Sequence, residues 1–194
     1  MGRLEGKTAI ITGGGTGIGR AIARTFHAEG AFVTICGRRR EKLDETLALL
    51  SCDEDRAHAV NTDVTKEDDI KRLMEETVSK TGRIDILVNN AGVMRFGKLH
   101  ETSIGQWDLM LQTNAYAPWR LMVHALPWMR KNGGGSIINL SSIAGIKAFP
   151  GVGAYCASKA ALQTISQVMA MEGAPLKVRV NCILPGLVED TELS

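Results

Sequence analysis

The sequence predicts a doubly wound α/β fold built on a parallel sheet. Three observations predict it: short apolar runs that are continuous rather than alternating, longer amphipathic stretches between them, and a glycine-rich turn after the first run. An unbroken Ile- and Val-rich run suits a strand covered on both faces, as in parallel sheets. Strands that alternate with helices imply right-handed crossovers and one layered sheet.

The first run is Thr8–Ile11. It leads into Thr12-Gly13-Gly14-Gly15-Thr16-Gly17-Ile18-Gly19, and a helical pattern starts at Arg20. The second run, Phe32–Cys36, ends at Gly37-Arg38-Arg39-Arg40, and Leu43, Leu47 and Leu50 then repeat at helical spacing. After the third run, Ala57–Val60, Thr65 and Asp68 read as a capping box for a helix through Ile70, Leu73, Met74, Thr77 and Val78. Ile84–Val88 is the fourth run and is followed by Asn89-Asn90-Ala91-Gly92. A helical stretch from about Gln106 carries Trp107, Met110, Trp119, Met122, Trp128 and Met129. Gly133-Gly134-Gly135 is a loop before the fifth run, Ser136–Leu140. The next helix, Ala154 to Glu172, has only Lys159 and Glu172 as charges, and Val178–Ile183 is the sixth run. Helices this apolar need cover on two sides. The sheet supplies one, and a homo-oligomer through the helices around 106–131 and 154–172 is expected to supply the other.

A chain of 194 residues suits one domain, 1–194, and at this size about 70% of the unfolded surface can be buried. Lys plus Arg is 23 against 21 for Asp plus Glu, a net charge of +2 that makes no electrostatic case for nucleic acid or an anionic membrane. No apolar run is long enough to cross a bilayer. Cys36, Cys52, Cys156 and Cys182 form no CxxC pair, and His27, His58, His100 and His124 are scattered, so no metal site is expected. Met1–Gly6 carries no signal-peptide core, and the expectation is a cytoplasmic protein with reduced thiols.

The glycine turn has the spacing Gly-x-x-x-Gly-x-Gly at 13, 17 and 19 rather than a strict GxGxxG. Its physics is that of a pyrophosphate site. Glycines let the backbone turn tightly and approach the phosphates, and the helix N-terminus offers free N–H groups and a positive dipole. At the end of the second strand a reader of a ribose 2′-hydroxyl needs Asp or Glu. Gly37 and Arg38 stand there instead, and a guanidinium fork suits a 2′-phosphate. NADP(H) is therefore favoured over NAD(H).

Further along stand Ser141-Ser142 and then Tyr155-Cys156-Ala157-Ser158-Lys159. Tyr155 and Lys159 are one helical turn apart and share a face. A phenol with an ordinary pKa of about 10 needs help to exchange protons near neutrality. An ammonium at about 5 Å and an effective dielectric near 20 supplies roughly 3 kcal/mol, a sufficient cause before desolvation opposes it. Ser142 follows a strand at the carboxyl edge, where open α/β sheets bind ligands.

Thr12-Gly13-x-x-x-Gly17-x-Gly19, Asn89-Asn90-Ala91-Gly92, Asn114, Ser142, Tyr155-x-x-x-Lys159 and Pro185-Gly186 occur in one order. The chain thereby resembles the short-chain dehydrogenase/reductase family from Gly6 to Thr191. The resemblance implies a Rossmann fold and NAD(P)-dependent interconversion of a small-molecule carbonyl and an alcohol. It makes Tyr155 the proton donor or acceptor, has Ser142 polarise the substrate oxygen, and has Lys159 hold the nicotinamide ribose and lower the tyrosine pKa. It puts Gly13, Thr16, Gly17, Ile18 and Gly19 in the pyrophosphate turn and Asp63 and Val64 beside the adenine. Asn89, Ala91 and Gly92 lie along the cofactor, and Pro185, Gly186, Val188 and Thr191 border the nicotinamide. It gives Asn114 a catalytic part through a water on its backbone carbonyl. Pro118, four residues on, has no N–H for that carbonyl, which frees it for the water or merely kinks the helix, as Pro127 does.

The resemblance also implies a seventh strand, and the sequence is expected to be C-terminally shortened and to lack it. Val178–Ile183 then becomes an apolar sheet edge with unpaired backbone groups. Two functions follow. One is an NADP-dependent oxidoreductase with a tyrosine general acid/base. The alternative is a non-catalytic NADP-binding or partner-binding module.

Overall fold

The structure is a computed structural model that describes residues 2–50 and 56–188. Six strands pair into one all-parallel sheet: β1 (Thr8–Thr12), β2 (Phe32–Gly37), β3 (Ala57–Asn61), β4 (Ile86–Asn89), β5 (Gly135–Leu140) and β6 (Val178–Ile183). Their order is β3-β2-β1-β4-β5-β6. The direction of winding reverses between β1 and β4, which opens a crevice beyond their carboxyl ends. This is a Rossmann-like fold.

Successive residues of β1 serve opposite layers, which is why its sequence is apolar without alternation. Ile10 packs with Leu73 of α3 (Glu67–Thr81) and with Leu121 and Met122 of α5 (Ala117–Lys131). Ala9 and Ile11 pack with Ala23 of α1 (Gly17–Ala28) and Leu43 of α2 (Arg40–Leu49).

Three local expectations are corrected. The Thr65–Asp68 box does not form: α3 begins at Glu67 without a side-chain cap, and the Thr65 hydroxyl donates to Asp63 Oδ1 at 2.7 Å. The capping box of the structure is Ser103–Gln106. It opens α4 (Ile104–Leu111), the helix expected from Gln106. That helix is not uniform: Gln112–Tyr116 widens into a π-turn, where the Ala117 N–H reaches back to the Gln112 carbonyl, just before Pro118. The third concerns β6. Val178 and Val180 are buried, but Arg179 and Asn181 alternate with them on the exposed face, so this edge of the described sheet is less apolar than expected.

The longest helix, α6 (Gly153–Gly173), buries Tyr155, Ser158, Lys159, Leu162, Ser166 and Met169 and exposes Val168 and Met171. On α5 Trp119 and Val123 are exposed as well. Among the described residues no helix is long and apolar enough to cross a membrane.

Candidate active site

The carboxyl ends of β1, β2, β4 and β5 and the loops beyond them surround a cleft of about 830 Å³. Gly13, Thr16, Gly17 and Ile18 line it at the head of α1. Gly13 sits at φ +65°, a conformation that glycine adopts without strain. Gly19 does not line the cleft. A Cβ there would run into the Gly13 carbonyl and the Asn90 amide, so its smallness lets the helix close onto the turn. α1 has no side-chain cap and no acidic residue in its first turn, so its leading N–H groups and positive dipole are left for an anion.

Gly37, Arg38, Asp63 and Val64 form the wall beside the turn. Arg38 is exposed there, with its backbone carbonyl held by Asn61 Nδ2 at 3.0 Å. Asp63 turns its carboxylate to the Thr65 amide and hydroxyl. Val64 presents its carbonyl to Arg120 at 3.2 Å.

At the far end Ser142, Tyr155 and Lys159 converge with Pro185, Gly186 and Val188. Ser142 stands two residues beyond β5 and accepts the Ala144 amide at 3.1 Å, which fixes its hydroxyl at the head of a short turn. Lys159 is 4% exposed, and its ammonium donates to the Leu140 carbonyl at 2.7 Å. Burial holds its pKa down to about 8. Tyr155 departs from expectation. Burial is the largest influence and raises its pKa above that of an ordinary phenol, while a hydrogen bond with Ser142 acts the other way. Lys159 Nζ lies 5.7 Å from the ring centroid, and its attraction does not outweigh the desolvation of the phenolate.

Besides Gly19, two expected site residues stand behind the cleft rather than on it. Asn89 is a correction. Its side chain points into the core and donates to Asn139 Oδ1 at 2.8 Å, and it is Asn90 that lines the cleft beside Ala91 and Gly92. Asn114 is fully buried in the π-turn. Its Oδ1 accepts the Val93 amide at 2.8 Å, and its Nδ2 donates to the Val93 carbonyl at 2.8 Å and to Ser158 Oγ at 3.0 Å. The side chain is thus a strut. Thr191 lies outside the described residues.

The sequence reading missed the residues that tie the two ends together. Thr12 Oγ1 accepts the amides of both Asn90 and Ala91 at 3.0 Å, and Asn90 Nδ2 donates to the Thr12 carbonyl at 2.9 Å. The Gly15 carbonyl is held by Arg20 and by the Thr46 hydroxyl. Gln163 donates to Ser141 Oγ at 2.9 Å and steadies the Ser142 segment. The only sequence signal for these was their adjacency to the glycine and serine motifs. Among the described residues no group of three or more His, Cys, Asp or Glu side chains is placed to hold a metal ion.

An anion-ready helix terminus at a sheet reversal, with a Tyr–Lys pair and a serine across the cleft, defines an oxidoreductase site for a dinucleotide. Comparison with known proteins agrees. Residues 7–194 match the family described as short chain dehydrogenase. Nodulation protein G of Rhizobium sp. (strain N33) is 38% identical over 189 residues, 97% of this chain and 76% of that protein. An uncharacterized oxidoreductase of Staphylococcus aureus (strain MW2) is 37% identical over 186 residues, 96% of this chain and 80% of that protein. A Burkholderia xenovorans crystal structure classed as a short-chain dehydrogenase/reductase superposes with TM-score 0.93 at 36% identity, covering 97% of this chain and 77% of that one. One from Sinorhizobium meliloti 1021, classed as a short-chain alcohol dehydrogenase, gives 0.94 at 32% identity, covering 98% and 76%. The chain belongs to the short-chain dehydrogenase/reductase family and is an NAD(P)-dependent oxidoreductase.

Proposed function

We propose that the chain interconverts a small-molecule carbonyl and a secondary alcohol with NADP(H), and that Tyr155 moves the proton. The observation that carries this reading is the convergence of Tyr155, Ser142 and Lys159 on one end of the cleft whose other end is the glycine turn. The bound nicotinamide supplies or accepts the hydride. The protein's own work is to place and protonate the substrate oxygen. Ser142 Oγ orients that oxygen, and Tyr155 Oη gives it a proton during reduction and takes one during oxidation. Lys159 supplies positive charge beside the ring when protonated.

The residues fit the cofactor. The uncapped head of α1 suits the pyrophosphate, with Gly13, Thr16, Gly17 and Ile18 around it. Arg38 beside Gly37 suits a 2′-phosphate, and Asp63 and Val64 flank the adenine position. Ala91, Gly92, Pro185, Gly186 and Val188 border the nicotinamide position, and Asn114 holds the wall they share with Tyr155. One domain, 1–194, carries both halves. Exposed Trp119, Val123, Val168 and Met171 support a homo-oligomer through α5 and α6. Free Cys36, Cys156 and Cys182 are consistent with a reducing, cytoplasmic setting.

Fluorescence titration with NADPH and NADH, followed by Tyr155→Phe, tests the reading. We expect tighter binding of NADPH and, in the variant, lost turnover with cofactor binding retained. The raised Tyr155 pKa is the observation that favours the second reading, a non-catalytic NADP-binding module. Cofactor binding with no turnover of any carbonyl by the unaltered chain would decide for it.

A further inference from the structure

The substrate end of the cleft is apolar and carries one cation that the chemistry above does not use. Its wall includes Met94, Phe96, Ile143, Phe149 and Leu187. Phe96 is 76% exposed and Leu187 86%, a wide apolar mouth. Arg95 stands between Met94 and Phe96 on the same wall. The segment is anchored. The Gly97 amide donates to the Gly151 carbonyl at 2.8 Å, and Gly97 and Val152 form a parallel bridge. The anchor holds the Arg95 segment beside the loop that leads into α6 and Tyr155.

The charge balance of this wall is one-sided. Among the described residues, from Asn90 onward, the charged residues on it are Arg95 and Lys159, and no carboxylate is among them. Lys159 is buried and engaged with the Leu140 carbonyl. Arg95 is exposed, and its guanidinium donates to its neighbour's backbone, the Met94 carbonyl, at 2.9 Å. Among the described residues it has no acidic partner within ion-pair distance. Lys147, whose Nζ lies 5.7 Å from the ring centroid of Phe149 on this wall, adds positive charge near the mouth.

We propose that the substrate is an apolar carbonyl or alcohol bearing a carboxylate, and that Arg95 is the residue that selects the carboxylate. This rests on the oxidoreductase reading for the position of the reacting carbon. A guanidinium fork binds a carboxylate through two parallel N–H bonds, while the surrounding Met, Phe and Leu side chains take the apolar body. Because Arg95 is exposed, its contribution is modest and is weakened by salt.

The test is calorimetric titration of 4-phenylbutanoate and of its neutral amide, 4-phenylbutanamide, into the full chain loaded with NADPH. The expected result is about fivefold tighter binding of the carboxylate, as for one partly solvated charge-assisted pair. The difference should shrink at high salt and vanish in Arg95→Gln, with affinity for the amide unchanged. Equal affinities in the unaltered chain, a preference that survives Arg95→Gln, or no binding of either compound overturns the proposal. The same titrations on the cofactor-free chain separate the two readings. A carboxylate preference that depends on Arg95 in a chain that binds neither NADPH nor NADH overturns the oxidoreductase reading and keeps the anion site. Cofactor binding without such a preference does the reverse.

Discussion

Lys159→Met should separate stability from function in a pH-dependent way. The ammonium is buried against α6 and β5, and burial lowers its pKa from 10.5 to about 8. The sign follows from proton binding. Between pH 8 and 10.5 the unfolded chain keeps a proton at this site that the folded chain has released, so stability rises with pH across that window. Below pH 8 both states are protonated, and the folded state carries the full cost. A fall from 10.5 to about 8 corresponds to about 3 kcal/mol. Methionine has a similar length and helix propensity and carries no charge. It also leaves the Leu140 carbonyl without its donor, a cost of about 1–2 kcal/mol. The variant should therefore be about 1–2 kcal/mol more stable than the parent at pH 7. The parent should recover about 1.3 kcal/mol of that difference between pH 7 and pH 9. Urea unfolding of both proteins at the two pH values measures this, and the other titrating groups cancel in the difference. Turnover should be lost at either pH. Parallel stability curves at pH 7 and pH 9 would refute the assignment of a costly buried charge at Lys159.

Other perturbations address the remaining parts of the cleft. Arg38→Asp should weaken NADPH by about 10- to 100-fold, the worth of one strong charge-assisted pair, and improve NADH, as read by paired fluorescence titrations; an unchanged preference would remove Arg38 from the 2′-phosphate. Gly19→Ala pushes a methyl group into the Gly13 carbonyl and should cost about 1–3 kcal/mol in denaturant unfolding along with most cofactor affinity. Tyr155→Phe should lower kcat by about 10²- to 10⁴-fold, the usual reach of a general acid, and leave the unfolding midpoint little changed.

Much of the fold was legible because the central strands β1, β2 and β4 are flanked by helices that bury both of their faces. The boundaries that slipped did so for tertiary reasons. Ile84 reads as the start of the fourth strand because it is apolar, and it is buried in the core, yet β4 begins at Ile86. Between them Asp85 takes the Thr8 amide at 2.9 Å and pairs with Arg83, a junction that hydrophobicity does not announce. The Thr65–Asp68 pair has the spacing of a cap, but Asp63 claims the Thr65 hydroxyl. The two adjacent asparagines after β4 look equivalent in sequence. Alternation along the strand sends Asn89 into the core and leaves Asn90 for the cleft, and composition cannot say which parity holds.

The spacing of Tyr155 and Lys159 was legible, but their environment was not. A shared helical face predicts that the lysine lowers the tyrosine pKa, whereas burial is a property of the assembled fold and works against the charged form of each. The assembled fold also supplies what no single motif contains, a hydrogen-bonded path between the two halves of the cleft. It starts at the Thr12 hydroxyl, which holds the Asn90 and Ala91 amides. It continues along that loop to Val93, whose amide and carbonyl are both bound by the Asn114 side chain. Asn114 passes it to Ser158, which donates to the Tyr155 carbonyl at 2.7 Å. Every link is buried or half-buried and short, so the glycine turn and the tyrosine are coupled through fixed hydrogen bonds rather than through loops alone. An asparagine suits the middle position because its amide can accept from one backbone amide while donating to a carbonyl and a hydroxyl at once. Leucine offers neither function, and aspartate can only accept when ionised. The π-turn aims this side chain across the path, and the Asn114 requirement is therefore one of geometry between two sites before it is one of proton transfer within either.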